Sequence, residues 1–310
     1  VDEELRAAEH SGEAFKQAVH LQRAGRLDEC ADTLERAWLE GSPSCGDALF
    51  HFLDEWRGNH AAAVATRLDR LACAGNDRAR GAWEKWFPDL TKILGMSDNM
   101  QGLRRTVLEQ VERPRDSILV LKGDSGVGKR TAARVLHELT KGSEFVEWEY
   151  YQSESMPRPP ENGTFFVHAM EPGAWEAPCV EGCRNRRTRL VISYHDEAGP
   201  PWQTLHGLDH VDYYITPLDS RREDVPDLIV KRFPEWLRGI LPQEPDFARF
   251  KTIRVQPEAI WELSRRSWRN LNARGVFYAL HGAALNALRS SDNSETLAIG
   301  VEHLGRLGTA

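Results

Sequence analysis

Residues 123–131, Gly-Asp-Ser-Gly-Val-Gly-Lys-Arg-Thr, have the types and spacing in this chain best suited to chemistry. Glycines at 123, 126 and 128 let the backbone curl until its N–H groups point inward, as enclosing phosphate oxygens requires. Lys129 follows where an ammonium reaches the terminal phosphates, and a helix starting there adds the positive end of its dipole. Such a pattern is a phosphate-binding P-loop when an apolar strand precedes it and an amphipathic helix follows. The predicted phosphate-binding residues are Gly123, Asp124, Ser125, Gly126, Val127, Gly128, Lys129, Arg130 and Thr131. Arg130 stands where a P-loop usually has the Ser or Thr that helps hold Mg²⁺.

The elements needed to position this loop are readable around it. Ser117–Lys122 is a short apolar run, as a buried parallel strand requires. Arg130–Leu139 has helical apolar spacing. Thr164–Val167 and Arg189–Ser193 are two more apolar strands, so strands and helices alternate as in a parallel α/β sheet. From Val225 onward the pattern is helical again, most clearly over Ala259–Ser264 and Ala273–Arg289.

Residues 1–87 read as helices. They are rich in Ala, Leu, Glu and Arg, and their single proline, Pro43, lies in a Gly-Ser-Pro-Ser turn. The stretches around Gly25 and Gly58 resemble each other at close to the tetratricopeptide period of about 34 residues, with each glycine placed to let two antiparallel helices meet closely. An irregular helical bundle is the alternative. Either form is an interaction module without visible chemistry. Pro88 to Lys92 marks the junction, giving a helical region over 1–90, an α/β region over 91–228 and a helical lid over 229–310.

Composition narrows the function classes. Hydrophobic residues make up 41% and charged residues 28% of 310, a globular balance with no apolar run long enough to span a membrane. The first residues are charged, unlike a secretory leader. The formal charge of −7 argues against a broad electrostatic surface for nucleic acid. The odd set Cys30, Cys45, Cys73, Cys179 and Cys183 fits reduced thiols in a cytoplasm. Cys179 and Cys183 lack the CxxC spacing of zinc sites, and only His168 and His195 offer themselves as further ligands. Most tryptophans read as core, whereas Trp148 and Trp175, beside a short connection, are candidates for a partner surface.

Several of these motifs, in this order, resemble the sigma-54-dependent bacterial enhancer-binding (NtrC-like) family of AAA+ proteins. The resemblance covers roughly residues 92–310. It rests on Ile93-Leu-Gly95-Met-Ser97-Asp-Asn-Met100, on the P-loop without Ser or Thr after its lysine, on Ala133-Arg-Val-Leu-His137, and on Pro217-Leu-Asp-Ser-Arg221-Arg-Glu-Asp224-Val225. It implies an α/β P-loop AAA+ core, a parallel sheet with flanking helices, followed by a C-terminal helical lid and preceded here by the all-α helical-hairpin region. It also implies ATP or ADP as ligand, Mg²⁺ only weakly supported, and assembly with further copies of the chain.

The departures from the family are specific. The strand that ends in Asp-Glu in the family aligns with Asn162-Gly-Thr-Phe-Phe-Val-His168-Ala169. His168 replaces the carboxylate that helps hold the metal, and Ala169 replaces the one that polarises water. Loss of a general base costs about 10²–10⁴ in rate. The family's two arginine-finger positions align with Pro201 and Gly207, and no Arg occurs between Leu190 and Arg221; a trans-acting Arg supplies about 10³–10⁵. In the sensor strand, Tyr194 or His195 takes the place of polar residues on the γ-phosphate side. In the lid, Arg274 or Asn272 aligns with the second sensor, and Arg274 is preferred because its charge can bind phosphate. The sigma-contact sequence Gly-Ala-Phe-Thr-Gly-Ala is missing from the short stretch between Lys129 and Gly163.

These features predict a nucleotide-binding regulatory or scaffold protein with weak or no ATPase activity and no catalytic residue. Residues 1–90 would recruit a protein partner, and no nucleic-acid-binding domain is readable. Two rivals stand beside it. One is a working ATPase and transcription regulator that uses His168, Asp196 or Glu197 as substitutes. The other is a scaffold that binds no nucleotide.

Overall fold

A computed structural model describes residues 2–58, 60–150, 155–169, 175–195, 205, 207–240, 250–269, 271–290 and 295–305. The chain forms two compact units, Val1–Leu68 and Asp69–Ala310.

The first unit is helical: α1 (Asp2–Arg23), α2 (Leu27–Leu39), α3 (Pro43–Trp56) and the start of α4 (Ala61–Cys73). Glycines at positive φ end the first two helices. At Gly25 (φ 73°), Arg26 N–H donates to Leu21 O (2.9 Å) and Gly25 N–H to Gln22 O (3.1 Å). Gly41 (φ 104°) repeats the pattern, with Ser42 N–H donating to Ala37 O (3.0 Å). Both are Schellman caps, which reverse the chain within a few residues. Ser42 then caps α3 through Cys45 N–H, and Pro43 sits in its first turn.

The glycines therefore work differently from the sequence expectation. An added Cβ at Gly25 meets nothing within 4 Å, so its role is conformational, and Gly58 has neither a positive φ nor a near neighbour beyond Glu55 O at 4.0 Å. The close helix approach is at Gly46, where a Cβ would lie 2.6 Å from the Trp38 indole. Leu34, Leu49, Leu53, Val64 and Ala65 form the buried interior. Arg67 bridges Asp32 (2.7 Å) and Glu35.

The boundary falls inside α4, ahead of the Pro88–Lys92 junction marked by composition. In the second unit a buried ion pair joins Arg104 to Asp69 (2.7 Å), and the Arg104 guanidinium lies 5.5 Å from the Trp83 ring centre. These contacts bind the end of α4 and all of α5 (Asp77–Trp86) to the α/β region.

After a 3₁₀ turn at Leu90–Lys92 come α6 (Asp98–Glu112), β1 (Ile118–Lys122), α7 (Lys129–Thr140), β2 (Phe145–Glu149), β3 (Thr164–His168), α8 (Glu176–Asn185), β4 (Arg189–Tyr194) and β5 (His210–Tyr214). Among the described residues the main sheet has five strands, all parallel, in the order β2-β3-β4-β1-β5. The expected strands are the apolar ones. β2 and β5 escaped the sequence because each is an edge strand with polar side chains alternating along it, such as Glu147 and Glu149 or His210 and Asp212.

The lid starts at α9 (Val225–Asp227), which runs through a π-helical turn (Leu228–Arg232) into α10 (Phe233–Ile240). It continues with β6 (Thr252–Val255), α11 (Pro257–Arg265), α12 (Asn272–Ser290) and β7 (Thr296–Ile299). The lid is thus not purely helical: β6 and β7 pair in parallel. Leu263, Val276, Leu280, Ala284, Leu297 and Ile299 share one buried cluster.

Trp148 and Trp175 do not form an open surface. They are 4% and 6% exposed and pack with Phe165 and Tyr194 in the core on one face of the sheet. Cys179 and Cys183, one turn apart on α8, are buried in the same cluster. Among the described residues no helix is long and apolar enough to cross a membrane.

Candidate nucleotide site

The loop after β1 is shaped by glycines that nothing else could replace without strain. Gly123 (φ 137°) would place a Cβ 2.4 Å from Ile215 O, and Gly126 (φ 79°) one 2.6 Å from Leu271 O. Gly128 (φ 116°) has open space around it and precedes the first turn of α7. L-residues rarely adopt such φ values. Lys129 opens α7 and is 6% exposed; its ammonium donates to the carbonyls of Gly123 and Asp124, the latter at 2.7 Å. The loop therefore folds round its own lysine. Val127 is buried, and Ser125 and Thr131 border the same cavity.

That cavity has a volume of about 420 Å³. It is lined by the P-loop, by Ile93 and Leu94, and by lid residues including Trp236 and Phe277, whose rings lie 5.3 Å apart. It lies at the carboxyl ends of the strands, where open α/β sheets hold ligands.

Two motifs far apart in sequence form one frame for the loop. The Asp224 carboxylate, fully buried, accepts from Met96 N–H (2.7 Å), Ser97 N–H (2.8 Å), the Ser97 hydroxyl (2.8 Å) and Arg221 Nη1 (3.0 Å). Gly95 (φ 119°) must be glycine because a Cβ would meet that carboxylate at 2.6 Å. Ser97 in turn caps α6 through Met100 N–H. Arg221 carries the frame onward: Nε donates to Thr216 O (2.9 Å), beyond β5, and Nη2 to Val127 O (3.0 Å) in the P-loop.

At the ends of β3 and β4, His168 Nδ1 and Ser193 Oγ are hydrogen-bonded at 2.7 Å. Burial, and next the charge of Lys129, push the His168 imidazole down to about 4, against an opposing pull from Glu149, so it is neutral near pH 7. Ala169 is buried and donates its N–H to Ser193 O (3.0 Å). Of the two sensor-strand candidates, Tyr194 and His195, the structure corrects the first. Tyr194 points to the opposite face, into the tryptophan core, and Ser193 is the residue that borders the cavity. Alternation along β4 decides this.

Arg130 turns away along β2, where it pairs with Glu147 and with Glu149 (2.8 Å). In the lid, both candidates from the sequence reach the loop. Arg274 Nη1 donates to Ser125 Oγ (3.0 Å), and Asn272 Nδ2 donates to Ser125 O (3.0 Å). Asn272 is fully buried at φ 48° and also accepts from Leu218 N–H (2.6 Å). Arg274 thus borders the cavity with Nη1 on Ser125, whereas Asn272 is the strut that fixes the lid to the loop. The finger position at Gly207 carries no side chain and is exposed. Pro201, Asp196 and Glu197 lie outside the described residues. Sequence reasoning did not find the roles of Arg221, Asp224, Ser193 and Asn272. The first two lay inside a quoted motif, but nothing local told what they touch.

The parallel order β2-β3-β4-β1-β5, with the P-loop leaving the strand between β4 and β5 and a lid packed over it, is an AAA+-type α/β core with a C-terminal lid. No protein-family model matches the chain. No curated protein matches it either. Among solved structures it is similar to NtrX from Brucella abortus in complex with ADP, at 18% identity and a TM-score of 0.49, over 76% of this chain and 58% of that one. It is also similar to NtrX in complex with ATP, at 18% identity and a TM-score of 0.48, over 76% and 62%. A RuvB variant from Thermotoga maritima matches at 9% identity and a TM-score of 0.43, over 66% of each chain. The chain spans less than two thirds of the length of the NtrX chains.

Proposed function

We propose that this chain binds ATP or ADP in the cavity above Lys129 as a structural or switching ligand, without turning it over at a useful rate. The observation that carries the reading is the end of β3. There a neutral imidazole, bonded to Ser193, stands beside the P-loop lysine, and the next residue is a buried alanine. Ala169 can neither take a proton from water nor orient it, and neither residue brings negative charge to a metal; the His168 Nδ1 is held by Ser193. The phosphate-facing parts remain: the glycine loop, Lys129, the start of α7 and Arg274. The apolar lining of Ile93, Leu94, Trp236 and Phe277 suits a base. In this reading residues 1–90 recruit a protein partner. Support comes from α1–α3, a run of helices reversed by Schellman caps, as in helical-hairpin arrays.

Thermal unfolding with and without nucleotide tests the binding claim. At a hundredfold excess over Kd, linkage stabilises the folded chain by about 2.7 kcal/mol, and Lys129→Ala should abolish most of that gain. No shift at millimolar ATP or ADP in either protein would leave a scaffold without nucleotide. Steady-state phosphate release tests the second claim. Turnover near once per second that disappears in Lys129→Ala would instead establish a working ATPase.

A further inference from the structure

The fold family implies Mg²⁺ with its nucleotide, and the residues here do not fit it. Magnesium wants hard oxygen donors in a near-octahedral shell, usually a carboxylate or two with waters and phosphates. The position after the P-loop lysine is Arg130, whose guanidinium is a donor and cannot ligate a cation. The end of β3 offers an imidazole, a nitrogen ligand suited to softer metals, and it is already bonded to Ser193. Among the described residues bordering the cavity there is no Asp or Glu, whereas Lys129 and Arg274 border it, together with Lys92, Arg130, Arg221 and Arg232, which are paired with Glu138, with Glu147 and Glu149, with Asp224 and with Glu235. The nearest carboxylates on the neighbouring strand, Glu147 and Glu149, are engaged by Arg130.

Resting on the nucleotide-binding reading above, we propose that this site takes the free nucleoside di- or triphosphate polyanion and not its magnesium complex. Cationic side chains do here what the metal does elsewhere: they neutralise the phosphates directly. Lys129 exchanges the Gly123 and Asp124 carbonyls for phosphate oxygens, and Arg274 swings from Ser125. A bound Mg²⁺ would gain no protein carboxylate and would cancel two of the phosphate charges that these cations attract.

Calorimetric titration of the full chain with ADP and with ATP tests this, once in EDTA and once in millimolar Mg²⁺. The expected result is affinity in EDTA at least equal to that in Mg²⁺, and about threefold tighter or more from the uncancelled charge. Affinity in EDTA weaker than in Mg²⁺ overturns the proposal. Absence of binding in both buffers sinks the nucleotide reading itself, a distinguishable failure. His168→Asp supplies the missing carboxylate and should reverse the preference, weakening binding in EDTA and restoring it with Mg²⁺. A His168→Asp protein that folds, binds, and keeps the wild-type preference for the metal-free nucleotide also overturns the proposal, because the end of β3 would then not govern the metal. Arg130→Ser, which frees the Glu147 and Glu149 carboxylates that Arg130 engages, gives a second variant with the same expected direction.

Discussion

Asp224→Asn is the substitution that most directly tests how the site is held. The side chain is fully buried and accepts four hydrogen bonds, from Met96 N–H, Ser97 N–H, the Ser97 hydroxyl and Arg221. Asparagine keeps the shape but removes the charge, and its NH₂ group must face a donor. Hydrogen bonds to charged groups contribute about 1.5–3 kcal/mol each, although not additively. Removing one partner of a buried ion pair costs about 3–5 kcal/mol, because the other charge is stranded. Arg221 is that other charge, 3% exposed. The expected loss is therefore about 3–5 kcal/mol, a urea midpoint lower by roughly 1–2 M at a slope of about 2–3 kcal/mol per M. Tryptophan fluorescence in a urea titration reads it. Arg221→Met on the Asp224→Asn background should cost less than the two single changes added together, since it removes the stranded cation. A loss below about 1 kcal/mol, the value of an exposed pair, would refute the view that this carboxylate ties the Gly95–Ser97 turn to the P-loop.

Two further outcomes follow from the loop itself. Gly126→Ala must resolve both a φ of 79° and a Cβ 2.6 Å from Leu271 O, whereas Gly128→Ala faces a φ of 116° with open space around it. Both incur about 1–3 kcal/mol of backbone strain, but only Gly126→Ala should also separate lid from loop and abolish nucleotide-induced stabilisation; equal behaviour in thermal melts would contradict the lid contact. His168 titrates near 4 when folded, against an ordinary value of 6.5, because burial and the neighbouring Lys129 disfavour its charge. The unfolded chain therefore takes up this proton first as pH falls. Stability relative to His168→Asn should be constant above pH 6.5 and decline progressively toward pH 4; an unchanging difference in urea midpoint across that range would show the imidazole to be solvated.

Local pattern alone was enough for the P-loop, for β1, β3 and β4, and for α7, since each is a short segment whose apolar spacing and glycines are set by neighbours in sequence. The alignment of His168 and Ala169 with two carboxylates came from the resemblance and not from local pattern; the structure puts His168 at the end of β3 with Ala169 next to it. Edge strands β2 and β5 and the lid pair β6–β7 carry polar residues on their open side, which blurs the signal that marks a buried strand. Strand parity placed Ser193 at the cavity and Tyr194 in the opposite core, a matter of register that the identities of the two residues do not reveal. The choice between Arg274 and Asn272 dissolved once the lid was seated, because one is buried against Ser125 O and the other projects beside it. Trp148 and Trp175 look the same in sequence whether they await a partner or fill a core, and only the packing of α8 against the sheet decides for the core. The frame of Gly95, Ser97, Arg221 and Asp224 belongs wholly to tertiary structure. The sequence displayed its two motifs more than a hundred residues apart, and a hydrogen bond across that distance exists only after the chain has closed it.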